Sequence, residues 1–169
     1  MKRKIILILI IQLVANLLYA QKRESIVVLN IDVKRMSITP SELGQLTRYE
    51  LDKLDTFNVV DKYELLQLVS HHKINLDQCF SKSCMLDVAK VSDAKYAVSG
   101  SAERLQDKIF FNLRLISVEN PENVKSTTIE FLPYTNQIQM MTRIALMNLL
   151  EMELPEDVVK QLTESGAIN

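Results

Sequence analysis

Two cysteines, two adjacent histidines and a few serines and acids are the side chains of this 169-residue chain best suited to chemistry. Cys79 and Cys84 stand five positions apart in Gln78-Cys79-Phe80-Ser81-Lys82-Ser83-Cys84, and no other cysteine is present. Such a pair can close a disulfide, cycle as a redox couple or ligate a metal. A redox couple is usually the closer Cys-x-x-Cys in a thioredoxin-like setting, which is missing here. Adding His71 and His72 would make a two-His, two-Cys zinc set. Adjacent residues on a helix, however, point about 100° apart, whereas ligands sharing one face stand four residues apart. A Cys79–Cys84 disulfide is the expected state, because the chain reads as exported and nearby cysteines pair in oxidising compartments. It would close a short loop, stabilising by about 2 kcal/mol through the unfolded state. Its service would be to fix the loop that feeds the next helix.

No nucleophile stands in a recognisable arrangement with a base. Ser99-Gly100-Ser101 lacks the Gly-x-Ser-x-Gly elbow, and three glycines in the whole chain leave no phosphate-cradling loop. The small residues Ser99 to Ala102 are read instead as allowing a helix to pack closely on a strand. Glu50 falls inside an apolar helical stripe with no second acid or nucleophile nearby. It is read as a carboxylate at the rim of the core, hydrogen-bonded or paired with a cation. No catalytic residue, cofactor or metal is expected.

The elements that must position these residues follow a leader. Lys2-Arg3-Lys4 is a basic start, Ile5 to Leu18 is apolar apart from Gln12 and Asn16, and Tyr19-Ala20 supplies a small residue before Gln21. Residues 1–20 therefore have the layout of a cleaved secretory signal, the rival being an uncleaved anchor. Of the 20 Lys and Arg, three belong to this leader, so the 21 Asp and Glu outnumber the rest by four. An acidic mature chain without a dense basic run excludes the usual nucleic-acid footprint. Residues 21–169 are expected to form a single domain in the periplasm, without a stable membrane span after cleavage. No cysteine near the cleavage site suggests a lipid anchor.

The near-continuous apolar run Ser25 to Ile31 predicts a strand buried on both faces. Thr39-Pro40-Ser41-Glu42 is a full helix-start signal, and the helix should run to about Asp55 on Leu43, Leu46, Leu51 and Leu54. Phe57 to Val60 reads as a second strand, and Asp61-Lys62-Tyr63-Glu64 as the start of a second helix ending near His71-His72-Lys73. Strand and helix in alternation argue for parallel crossovers. A short third helix follows from Met85 to Val91. Lys95 to Leu105 and Lys108 to Val118 then flank Gln106-Asp107 as a tight hairpin, and Val124 to Leu132 makes a further strand. The predicted class is α/β, a mixed sheet with helices packed on it in the order β-α-β-α-α-β-β-β-α.

Thr135 to Met152 makes a last helix, with Ile138, Met141, Ala145, Leu149 and Met152 on one face. Met140, Ile144, Met147 and Leu150 extend apolar character around most of the rest, so the helix must be covered on more than one side. Those four are the candidate partner surface. The alternative is that the segment after Pro155, a small closing helix over Leu154 to Thr163, folds back over them.

This order of signals resembles the envelope family that includes the curli-secretion protein CsgG, the penicillin-binding-protein activator LpoB and the N-terminal domain of TolB. The resemblance rests on Ile26-Val27-Val28-Leu29, Tyr49-Glu50-Leu51, Phe57-Asn58-Val59-Val60-Asp61, Cys79 with Cys84, Leu86 to Ser101, and Phe111 to Ile116. The family often has Gly where Ser92 stands, and its pore-forming hairpins find no room at Gln106-Asp107. The resemblance implies a small non-catalytic interaction module that binds an envelope protein: a cell-wall synthase, a secretion component or a second copy of itself. The other class left open is a small-ligand protein or enzyme, which a deep pocket with convergent polar groups would favour.

Overall fold

The computed structural model describes residues 23–132, 137–156 and 158–160, so the expected leader lies outside the described residues. Strand β1 (Ser25–Lys34) occupies the middle of the molecule. Ile26 and Val28 face one side and Val27 and Leu29 the other, all buried, as a continuous β-branched run requires. The strand continues three residues past Ile31, because its register shifts there: Val28 faces Val98 of the neighbouring strand, but Ile31 faces Gly100. One extra residue of β1 is accommodated as a bulge. The hydroxyl of Ser99 donates to the carbonyl of Asn30 at 2.8 Å within that irregularity.

Helix α1 (Pro40–Lys53) starts as its sequence dictates. The Thr39 hydroxyl accepts from the Glu42 N–H at 3.2 Å, and the Glu42 carboxylate accepts from the Thr39 N–H at 2.8 Å, the reciprocal pattern of a capping box. Gly44 lets α1 approach β1: a Cβ there would stand 2.7 Å from the Leu29 carbonyl oxygen. Strand β2 is only Asn58–Val59, shorter than the expected Phe57 to Val60. Phe57 turns its ring edge-on to Tyr96, with centroids 5.6 Å apart, and the Val60 N–H still reaches the Ile26 carbonyl.

Asp61 caps helix α2 (Lys62–His71) by accepting from the N–H groups of Tyr63 and Glu64. A 3₁₀ turn, Leu76–Gln78, leads into the cysteine loop. Helix α3 (Lys82–Val91) begins earlier than the pattern from Met85 suggests, because Ser81 caps it through the Cys84 N–H. Strands β3 (Tyr96–Leu105) and β4 (Lys108–Ser117) form the expected hairpin, with Leu105 opposite Lys108 and Gln106 at a φ of 54°. Strand β5 (Val124–Phe131) follows β4, and helix α4 (Ile138–Leu149) is shorter than the expected span from Thr135 to Met152. Thr135 and Asn136 lie outside the described residues.

The sheet order is β2-β1-β3-β4-β5, parallel where β1 meets β2 and β3, antiparallel beyond. This is the mixed α/β sheet expected, with elements in the expected order. Helices α1 and α4 cover one face over Ile26, Val28, Phe111 and Leu113. Helices α2 and α3 cover the other over Val27, Leu29, Ala97 and Ile116. Gly100 has a different reason from the one expected. A Cβ there would fall 1.9 Å from the Asn112 carbonyl oxygen of β4, so the close approach is strand to strand and not helix to strand.

Candidate functional site

The cysteine loop is anchored before any chemistry is considered. Cys79 is fully buried among Val27, Leu29, Met85 and Ala97, while Cys84 sits in the first turn of α3. Their sulfurs are at disulfide distance, with Cα atoms 5.4 Å apart. Asn30 at the β1 bulge donates to Asp77 at 3.0 Å, and the Arg114 guanidinium donates to the Phe80 carbonyl. The loop is thus tied to β1 just before Cys79 and to β4 just after it, within the span the pair encloses. His71 ends α2 and His72 caps it, their rings 5.2 Å apart and exposed. Among the described residues, no group of three His, Cys, Asp or Glu is placed to hold a metal.

Glu50 is 1% exposed. Its Oε1 accepts from Lys53 at 2.6 Å and from Gln139 of α4 at 2.7 Å, so this carboxylate is paired and also joins two helices. Arg48, two residues earlier on the chain and half-buried, donates to Gln45 at 2.7 Å and to the Val28 carbonyl. Burial pushes its pKa down, and the nearby Asp61 carboxylate opposes that shift. Its Nε has no hydrogen-bond partner among the described residues.

The face expected on α4 is largely covered. Ile144 is 6% and Met147 2% exposed, and Met140 and Leu150 pack half-buried against the α1/α4 core. Of the four residues expected as a contact surface, Ile144 and Met147 are buried within this chain, while Met140 and Leu150 keep part of their surface exposed. Helix α4 lies against α1, β4 and β5, and Leu154 and Val158 join the same core. The Pro155 carbonyl accepts from the N–H groups of Val158 and Val159, a turn of the segment expected to fold back. The remainder of that closing helix lies outside the described residues.

One concavity among the described residues was not legible in the sequence. A groove of about 620 Å³ opens between the β1–α1 connection, the outer side of α1, the β3–β4 hairpin and the start of α4. Met36, Ile38, Leu46, Ile109, Ile138 and Met141 give it an apolar lining, and Arg35, Arg104 and Lys62 stand among the same walls. These cations come from a loop, a strand end and a helix start up to 69 positions apart, so only the fold brings them together. Arg35 pairs with Glu103.

No family model and no curated protein matches the chain in sequence. Solved structures match its fold. The LpoB C-terminal domain from Salmonella enterica aligns with a TM-score of 0.56 at 18% identity, over 70% of this chain and 92% of that domain. E. coli LpoB aligns at 0.54 and 17% identity, over 64% of this chain and 55% of that one. The lipoprotein GNA1162 from Neisseria meningitidis aligns at 0.51 and 12% identity, over 78% of this chain and 99% of that one. The chain has an LpoB-like fold.

Proposed function

We propose that this chain is a non-catalytic interaction module of the bacterial cell envelope that acts by binding another envelope protein. The observation that carries this reading is the correspondence with nearly the whole LpoB C-terminal domain, 92% of it. It is the fold that the sequence resemblance implied; binding without catalysis is drawn from that resemblance, since a fold alone assigns no activity. The partner class, a cell-wall synthase, a secretion component or a second copy, follows from the same resemblance.

Site-specific photo-crosslinking in cells tests it. Strand β5 ends the sheet, and Ser126 and Thr128 on it are exposed, so crosslinkers there would sample an edge able to receive a partner strand. Lys90 on α3, also exposed, is the control. Discrete envelope adducts at the edge and none at Lys90 are expected. Uniform weak labelling at every position, or catalytic turnover of an envelope substrate by the purified chain, would overturn the reading.

A further inference from the structure

The groove beside α1 combines two features that a merely solvated surface does not need. Its lining is apolar, from Met36 and Ile38 on the loop to Ile109 on β4 and Ile138 and Met141 on α4. Its cations are only partly neutralised. Arg35 is engaged by Glu103. Glu42, the acid in the wall, is already occupied by the Thr39 N–H and hydroxyl, both at 2.8 Å. Arg104 and Lys62 make no ion pair or side-chain hydrogen bond among the described residues. Arg104 is half-buried and faces Ile109 across the β3–β4 ladder, so its charge stands directly beside the apolar lining.

An unpaired guanidinium held next to apolar surface favours a ligand that is anionic at one end and apolar along its length. The volume of about 620 Å³ falls within the roughly 300–1,000 Å³ of small-ligand pockets. We propose that this groove binds one molecule of a single-chain fatty acid, its acyl chain along Ile38, Ile109 and Ile138 and its carboxylate at Arg104. A peptide is a poorer fit, since the walls named here are side chains and not an open strand edge offering backbone partners. The proposal stands independently of the partner-binding reading.

Calorimetric titration of the purified chain with dodecanoate, kept below its micellar concentration, gives the first test. Saturable binding of one dodecanoate per chain is expected, with dodecyltrimethylammonium at least tenfold weaker. Arg104→Gln should weaken dodecanoate at least tenfold while leaving the unfolding midpoint unchanged. Methyl NMR shifts of Ile38, Ile109 and Ile138 on adding dodecanoate to the unaltered chain give a measurement that does not depend on the variant folding. Equal binding of the two detergents, undiminished binding by the folded variant, or shifts elsewhere would each overturn the proposal. So would binding of the peptide acetyl-Glu-Leu-Leu-Leu in the groove where dodecanoate fails.

Discussion

At the residue scale, two glycines among the described residues stand against neighbouring backbone, Gly44 and Gly100. Gly44 lies in a helix interior, where alanine is ordinarily better by about 1 kcal/mol. A Cβ there would, however, stand 2.7 Å from the Leu29 carbonyl oxygen, and backbone cannot swing aside as a side-chain tip can. Gly44→Ala is therefore expected to destabilise by about 1–3 kcal/mol, and Gly100→Ala, with 1.9 Å to the Asn112 oxygen, by at least as much. Denaturant unfolding measures both, and a stabilised Gly44→Ala would show that α1 can lift from β1 freely. Met147 gives a second expectation. At 2% exposed it has no water to solvate a carboxylate, so Met147→Glu should cost several kcal/mol or abolish folding. A folded variant with an unchanged melting temperature would contradict that and return α4 to consideration as a contact surface. The apolar breadth of α4 was legible in its sequence; what covers it was not, because helical periodicity counts apolar sides without saying what lies over them. The cationic groove residues left no signal at all, since Arg35, Lys62 and Arg104 share neither spacing nor element.

At the element scale, the helix starts at Thr39 and Asp61 were readable, while the start at Ser81 and most strand ends were not. Thr39, Asp61 and Ser81 each accept from the first turn of their helix, and each cap is a local contact that the sequence can display. Strand β2 shrank to two residues and β1 gained three because strand length depends on the neighbour's register, which is tertiary information. The caps make a pH prediction. Hydrogen bonds from Thr39 hold the Glu42 carboxyl below its ordinary value, and backbone N–H groups of Glu64 and Tyr63 do the same for Asp61. A carboxyl lowered in the folded chain contributes stability that is complete above its unfolded value, near pH 4, and is lost as pH falls through the folded one. Glu42→Gln with Asp61→Asn should therefore lower stability at pH 7 but leave it nearly unchanged near pH 2. Parallel pH profiles for variant and parent would refute the assignment. The cysteine loop makes another prediction: alkylation without reductant should label no thiol in exported material, and reduction should lower stability by about 2 kcal/mol. Two labelled thiols would place the pair in the reduced state.

At the scale of the whole molecule, the sheet separates two apolar layers that the chain fills in turn. Helix α1 is laid down early and α4 last, yet both rest on the same face. Their junction includes one buried polar link, the Glu50 carboxylate accepting from Gln139, 89 residues away in sequence. The sequence showed Glu50 as an acid within an apolar stripe, and with it the need for a partner. It could not show that one of those partners is on the last helix. Lys53 satisfies the same oxygen from within α1, so the contribution across the helices is a difference and not a sum. A hydrogen bond to a charged acceptor in partly buried surroundings contributes about 1–2 kcal/mol net. A double-mutant cycle of Glu50→Ala and Gln139→Ala should return a coupling of that size in equilibrium unfolding, with each single variant still folding cooperatively. Hydrogen exchange gives the spatial readout: Glu50→Ala should lower protection in α4 more than in α3, which packs on the opposite face of the sheet. A coupling near zero, with equal loss of protection on both faces, would mean that apolar contact alone docks α4 and that Glu50 serves only its own helix.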